Sequence, residues 1–317
     1  MLVADPRSGG AAHKLTELIG HAQGFEQLKL RLWMPTDAAL PAHSPWLRFA
    51  QPGTLFSAPH PAPACLLLSD AADWQAAQRI YGPRLDLPKL HLLHGASLRD
   101  WGHGASRSPA VRVSCGEAVA EALRQQGRFV EPLHTLPMGI ETQALPPVAP
   151  LKQGCLILAR AQPELGLALQ QAIAAQGYGV SCELSPWPLQ RWQQALAEAA
   201  VVIVLPPAAG SPGLGLRRLA AMALGTALVV AERSSPDPFC RDGQNALVRL
   251  LDAAELSSAA LQLLADVRLR ERLVQAAKAT LQRHRSALER QRFLELLHQL
   301  PEHWQAACRS HQLEPQR

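Results

Sequence analysis

Short apolar runs alternate with amphipathic stretches of ten or so residues through the second half of this chain. The clearest run is 201–205, Val-Val-Ile-Val-Leu, which is followed directly by two prolines. Continuous apolar runs of this length are typical of strands buried on both faces of a parallel sheet. Strands that alternate with helices are joined by right-handed crossovers. The pattern therefore predicts an α/β domain built on a doubly wound parallel sheet.

The same alternation runs, less regularly, through the first half of the chain, with a Pro- and Gly-rich interruption at 35–63. At 317 residues the chain has room for two domains of roughly 150 residues each. We predict strands at 1–5, 29–34, 65–68, 90–93, 110–113, 133–136, 155–159, 179–184, 201–205, 227–231 and 246–248. We predict helices at 11–22, 71–81, 117–126 (capped by Ser114), 165–176, 189–199, 216–224, 253–264 and 268–283.

A proline-rich segment separates the two halves. Residues 142–150 read Thr-Gln-Ala-Leu-Pro-Pro-Val-Ala-Pro, and three prolines in nine residues are typical of a semi-rigid linker. We therefore predict a first Rossmann-like domain at 1–141, a linker at 142–152 and a second Rossmann-like domain at 153–289.

The chain is basic, with a net charge of +5 and an isoelectric point near 9.1. This excess is either a generic surface bias or an affinity for anionic partners, such as nucleotide diphosphates or polyprenyl phosphates at a membrane surface. Basic residues are mostly mixed with acidic ones, as around Glu271, which argues against a nucleic-acid-binding arm.

Cysteine spacing and hydropathy indicate the compartment. Six cysteines lie far apart without a Cys-x-x-Cys pair, which is typical of small buried hydrophobes in a reducing environment. The N-terminus lacks a cationic segment followed by an apolar one, and no apolar run approaches the eighteen or so residues that span a bilayer. We expect a cytoplasmic protein, with the inner face of the membrane as a further location.

Five segments, taken in order, carry a resemblance to a known family. They are residues 111–123, 136–141 (Leu-Pro-Met-Gly-Ile-Glu), 159–166 (Ala-Arg-Ala-Gln-Pro-Glu-Leu-Gly), 213–226 (Gly-Leu-Gly-Leu-Arg-Arg-Leu-Ala-Ala-Met-Ala-Leu-Gly-Thr), and 242–248 (Asp-Gly-Gln-Asn-Ala-Leu-Val) followed by 269–273. In order and spacing they resemble the retaining nucleotide-sugar glycosyltransferases of family 4, also called group 1, which have the GT-B fold.

The resemblance implies two Rossmann-like, doubly wound domains that face a cleft. It also implies a C-terminal helix at 290–317 that returns toward the first domain. Phe293, Leu297 and Trp304 form an apolar stripe suited to that contact.

Arg160 is the first residue that the resemblance assigns to the donor. It follows the predicted strand 155–159, at the edge where doubly wound sheets bind ligands, and it matches the family's phosphate-binding arginine. The family's neighbouring lysine is replaced by Leu165, which cannot pair with phosphate. The alternative is that Arg160 is a solvated surface residue.

Gly213, Leu214 and Gly215 form a turn before the predicted helix 216–224, where free N–H groups and close backbone approach suit a phosphate. The alternative is a plain loop leading into a helix. The family's two glutamates around this turn, which contact the donor sugar and the ribose, correspond here to Pro212 and Ala220. Both carboxylates are missing, so the donor site departs from the family's pattern.

Two positions in the first half complete the candidate site. Gly9 and Gly10 resemble the family's N-terminal loop that faces the donor, or form only a tight turn. His94, at the end of the predicted strand 90–93, is either a catalytic residue that contacts the transferred sugar or acceptor, or a structural histidine. His91 is expected to point into packing.

The resemblance implies transfer of a sugar from a nucleotide-diphosphate sugar to a bacterial glycan, lipid or protein acceptor. The alternative is a GT-B protein with a degenerate donor site that binds or scaffolds an active glycosyltransferase. A sugar-nucleotide epimerase would need an acid/base set that the sequence does not show. We expect no cofactor, no metal and no nucleic-acid partner; peripheral membrane contact and a partner glycosyltransferase remain open.

Overall fold

The computed structural model describes residues 10–22, 32–33, 55–56, 63–69, 71–82, 87–93, 108–126, 132–206, 215–232 and 239–313. Contacts divide the chain into two compact units. The first comprises Met1–Pro137 and Ala287–Arg317, and the second comprises Met138–Ser286. Each unit contains a parallel β-sheet with helices packed against it, so the predicted α/β fold class is confirmed.

The first unit has a four-stranded parallel sheet with its strands in sequential order, β3-β4-β5-β6. Its strands are β1 (Leu32–Trp33), β2 (Leu55–Phe56), β3 (Leu66–Leu68), β4 (Lys89–Leu93), β5 (Val111–Cys115) and β6 (Leu133–Leu136), of which β1 and β2 pair only with each other. Its helices before the boundary are α1 (Gly10–Ala22), α2 (Ala71–Tyr81) and α3 (Glu117–Gln126).

The second unit has a five-stranded parallel sheet in the order β11-β10-β9-β7-β8. Its strands are β7 (Gln153–Leu158), β8 (Val180–Glu183), β9 (Ala199–Val204), β10 (Ala227–Glu232) and β11 (Leu247–Leu250). Its helices are α4 (Pro163–Ala174), α5 (Leu189–Glu198), α6 (Leu216–Ala223), α7 (Ala253–Ala265) and α8 (Val267–Leu281). A 3₁₀ helix, Thr142–Ala144, lies inside the predicted linker.

The strand order of the second unit reverses at β7. The chain runs from β7 outward to β8, crosses back to pair β9 on the other side of β7, and then continues to β10 and β11. In open parallel sheets, such a switch point opens a crevice outside the carboxyl ends of the strands. The fold therefore places a ligand-binding edge after β7 and β9.

Burial explains why the apolar runs predicted these strands so well. Val201, Val202 and Ile203 are completely buried, so both faces of β9 are covered. Full burial of such a side chain contributes about 1.5–3 kcal/mol relative to leaving it exposed. The prediction of a strand buried on both faces is confirmed.

The predicted cap of α3 is wrong. Ser114 lies within β5, which extends beyond the predicted strand 110–113, and its hydroxyl donates to Thr135 Oγ1 at 3.1 Å on the neighbouring strand β6. The helix begins instead after Gly116, whose carbonyl accepts the Ala120 N–H at 3.1 Å. The Ser114 hydroxyl therefore bonds across the sheet and does not cap the helix.

The C-terminal segment forms two helices, α9 (Ser286–His298) and α10 (Leu300–Leu313), instead of one continuous helix. The interruption falls just before Pro301, which has no N–H to donate and is tolerated only in a first helical turn. Phe293 and Trp304 of the predicted apolar stripe are buried. The Lys89 ammonium lies 5.2 Å from the centroid of the Trp304 ring, which ties α10 to the first sheet.

All six cysteines are free thiols. Cys115, Cys155 and Cys240 are buried, as expected of small hydrophobes, whereas the other three are partly exposed. Burial raises the pKa of both Cys115 and Cys155 to about 12, so these thiols stay protonated at neutral pH. Among the described residues, no cluster of three potential metal ligands occurs, and no helix there is long and apolar enough to cross a membrane.

A buried ion pair joins α1 to α9 within the first unit. Lys14 and Glu289 are each about 1% exposed and form a salt bridge, which His21 Nε2 flanks at 3.4 Å from Glu289 Oε2. Burial alone would lower the pKa of Lys14, but the charges of Glu289 and Glu17 outweigh it and raise the pKa. The stability that comes from protonating Lys14 is therefore complete below its unfolded pKa and is lost as the pH rises through the folded value.

We predict that Glu289→Leu and Lys14→Met each lower the free energy of unfolding at pH 7 by about 3–5 kcal/mol, because each removes the main partner of a buried charge. The double variant should lose much less, because it removes both charges of the pair, and Glu17, the second partner of Lys14, is 33% exposed and can be hydrated. Urea unfolding followed by circular dichroism measures all three. Single variants within about 0.5 kcal/mol of wild type would contradict this account of the pair.

Candidate functional site

Arg160 lies at the switch point of the second sheet. Ala159 and Arg160 follow β7 directly, and the Ala159 N–H still donates to the Glu183 carbonyl at the end of β8, at 3.1 Å. The Arg160 side chain is exposed. Within the described part of the chain, its guanidinium has no hydrogen-bond or ion-pair partner. A cation at this edge is available to an anionic ligand.

Gln162 connects the two loops that border the switch point. It immediately precedes α4, and its side-chain amide donates to the carbonyl of Pro206, after β9, at 3.0 Å. The turn that carries Arg160 is therefore held to the end of β9 as well as to β8. The sequence gives no local signal for this bond, because its partners are 44 positions apart.

Gly166 lets α4 approach the sheet closely. A Cβ at this position would overlap the Cβ of Ala159 and lie 3.2 Å from Cys182 Sγ. This close approach matches the packing role of a glycine in a dinucleotide-binding turn. It explains the glycine in the segment 159–166 by packing, and it fixes the start of α4 beside Arg160.

Gly215 begins α6 in a left-handed conformation, with φ of 71°, and its carbonyl accepts the N–H groups of Arg218 and Leu219, each at 3.0 Å. A side chain here would be strained and would overlap the Phe239 ring. Phe239 is itself held by Asn245, whose amide donates to the Phe239 carbonyl at 2.8 Å. Asn245, in the segment 242–248, therefore supports Gly215 at the start of α6 through Phe239.

Residues 138–141 of the segment 136–141 are also explained by local contacts of the second unit. The His284 ring packs edge-on against Phe239, with centroids 4.7 Å apart. Burial lowers the pKa of His284, which favours the neutral ring. Its Nδ1 lies 2.9 Å from the Met138 carbonyl, and since a carbonyl only accepts, Nδ1 carries the proton. The backbone of Ile140 forms an isolated parallel β-bridge with Arg285, the residue after His284.

Several predicted site residues lie outside the described residues: Gly9, His94, Gly213 and Leu214, and with them Pro212. Gly10 is the first residue of α1. His91 is buried, as predicted, and its Nδ1 accepts the indole N–H of Trp74 at 3.1 Å. Of the predicted donor residues, the structure thus brings Arg160 and Gly215 to the same edge of one sheet.

The positions where the family's charged groups are missing have become packing positions. Leu165 packs against the hydrophobic core of the second unit, and Ala220 is completely buried within α6. Neither position holds a polar group that could take over a donor contact.

A salt bridge at this edge was not foreseen from the sequence. Glu183, the last residue of β8, is completely buried and accepts two bonds from the guanidinium of Arg217 in α6. The two residues are 34 positions apart, and the sequence signal for Glu183 is a carboxylate within the predicted strand 179–184. A charged residue at such a position needs a partner, and the partner was not identified.

No protein-family model and no curated protein matches the sequence. Among solved structures, the chain is similar to Alr3699/HepE of Anabaena in complex with UDP and glucose, with 15% identity, a TM-score of 0.69, and coverage of 94% of this chain and 98% of that one. It is similar to sucrose-phosphate synthase of Thermosynechococcus elongatus, with 15% identity, a TM-score of 0.66, and coverage of 95% and 98%.

A third similar structure is a putative UDP-N-acetylglucosamine 2-epimerase of Listeria monocytogenes, with 12% identity, a TM-score of 0.59 and coverage of 95% of each chain. At these identities the likeness shows the fold. The fold is that of the GT-B glycosyltransferases, and the predicted fold is confirmed.

We predict that Gly166→Ala destabilises the second unit. Alanine would ordinarily stabilise a helix by up to about 1 kcal/mol over glycine. Here, overlap with Ala159 on the rigid strand end should cost about 1–3 kcal/mol and outweigh that gain.

Gly179→Ala is the matched control, because a Cβ at that position meets nothing within 4 Å and its φ is not positive. Thermal unfolding of both variants is the measurement. A Gly166→Ala protein that melts above wild type would show that α4 does not rest on the strand as closely as described.

Proposed function

We propose that the chain is a glycosyltransferase that uses a nucleotide-diphosphate sugar as its donor. The GT-B fold supports this proposal, as does the match to a HepE structure that contains UDP and glucose over 94% of this chain. The observation on this chain that carries it is Arg160, an exposed guanidinium at the switch point without a partner among the described residues. A cation at that edge is what a diphosphate requires.

Arg160 would act on the leaving group. When a sugar leaves its nucleotide, negative charge develops on the departing diphosphate, and a positioned cation stabilises that charge. A guanidinium offers two parallel N–H groups to phosphate oxygens, so it orients the diphosphate as well as neutralising it. This role needs no metal ion, and we propose a metal-independent reaction without a cofactor.

We propose the acceptor only by its class, which is a bacterial glycan, a lipid or a protein. The excess of five positive charges favours an anionic acceptor or a polyprenyl phosphate at a membrane surface. We therefore propose a cytoplasmic location, with peripheral contact at the inner face of the membrane for a lipid acceptor.

A second candidate function follows from Leu165 and Ala220. Both are packed in apolar surroundings at positions where the family resemblance implies an ammonium and a carboxylate. A chain lacking these groups could retain the fold and bind a partner glycosyltransferase without binding a donor. Nucleotide binding separates the two functions, since only the transferase needs it.

We predict that the wild-type chain binds a nucleoside diphosphate and that Arg160→Ala weakens this binding by about 1.5–3 kcal/mol, or roughly 10- to 150-fold. The loss corresponds to a charge-assisted hydrogen bond to phosphate. Titration calorimetry with UDP, GDP and ADP measures it.

Arg268→Ala is the matched control, because Arg268 is an exposed arginine of the same unit near the start of α8. Its affinity for the nucleotide should equal that of wild type. Equal affinities for Arg160→Ala and wild type would assign Arg160 to the solvated surface. A wild-type chain that binds none of the three nucleotides at millimolar concentration would favour the scaffold function.

A further inference from the structure

Glu183 ends β8 with its carboxylate inside the protein. The residue is completely buried, and its backbone pairs with Leu158 at the end of β7. A buried carboxylate costs several kcal/mol unless it is paired and hydrogen-bonded. A charge at this position, beside the switch point, therefore requires partners that the fold supplies.

Two segments supply those partners. Arg217, in the first turn of α6, donates from both terminal nitrogens, with Nη2 at 2.8 Å from Glu183 Oε1 and Nη1 bonded to Oε2. The backbone N–H of Trp187, in the loop after β8, donates to Glu183 Oε1 at 3.3 Å. One carboxylate thus binds both the loop 184–188 and the start of α6.

Aromatic rings surround this arrangement on the α5 side. The Arg217 guanidinium lies 5.8 Å from the centroid of the Trp192 ring, and the Arg191 guanidinium lies 4.2 Å from that of Trp187. Arg217 remains 30% exposed, so the pair reaches the surface at the binding edge. A planar guanidinium bonded at two points to one carboxylate has little freedom to move.

We propose that Glu183 and Arg217 are positioning residues for the donor nucleotide, and this inference rests on the proposed function. They hold the loop 184–188 and the first turn of α6 in one arrangement, at the edge that also carries Arg160. This pair orders the start of α6 in a chain that lacks carboxylates at 212 and 220. Neither residue needs to touch the reacting atoms.

The decisive variant is the double substitution Glu183→Leu with Arg217→Met. Replacing a buried ion pair by apolar side chains of similar size is often neutral for stability. The double variant should therefore melt near wild type. It should nevertheless bind the best nucleoside diphosphate at least tenfold more weakly, because the carboxylate no longer bonds the two segments.

Hydrogen exchange gives a readout that does not depend on the ligand. Amide exchange within 184–189 and 215–219 should accelerate at least tenfold in the double variant and in Arg217→Lys, which keeps the charge but loses the two-point bond. Arg124→Met is the control, since Arg124 is also paired with carboxylates, Glu117 and Glu121, but lies in the first unit. It should leave nucleotide affinity, and exchange in both segments, unchanged.

The outcomes separate this inference from the proposed function. If wild type binds a nucleoside diphosphate and the stable double variant binds it equally well, the pair has only a structural role and the inference is overturned. Unchanged exchange in both segments overturns it as well. If wild type binds no nucleotide, the proposed function itself fails, and the donor role of the pair fails with it.

Discussion

The packing of the second unit depends on Gly166, which carries a hydrogen where other residues carry a side chain. Because Gly166 has no side chain, α4 rests directly on the strand end at Ala159 and beside Cys182 of β8. That contact packs Leu165 against the core, and only the short turn through Arg160 lies between β7 and the helix.

The charges at this edge are divided into two kinds. The charge of Arg217 is neutralised by Glu183, and this pair holds neighbouring segments of the protein in place. Arg160 has no partner among the described residues, so its charge is directed outward.

Much of the fold could be predicted because it depends on local periodicity. The helices Ala71–Tyr81 and Glu117–Gln126 have the predicted bounds, since each amphipathic pattern is contained within its own segment. Ser114 was assigned wrongly because a hydroxyl can cap a helix or pair across a sheet, and only the neighbouring strand decides between them. The Glu183–Arg217 bond was missed for a related reason, since no local pattern links positions 34 residues apart.

The site was harder to predict than the fold because the two depend on different residues. The sheet is stabilised by apolar side chains such as Val201 and Ile203, whose burial any residues of similar size could provide. A donor site needs particular polar groups in particular places. Leu165 and Ala220 provide apolar packing but no polar group, so they support the core and leave the edge without the charges that the family resemblance implies. A sequence can therefore keep a GT-B fold at 15% identity without these charged groups, and under the proposed function donor binding would rest on Arg160, whose side chain is exposed.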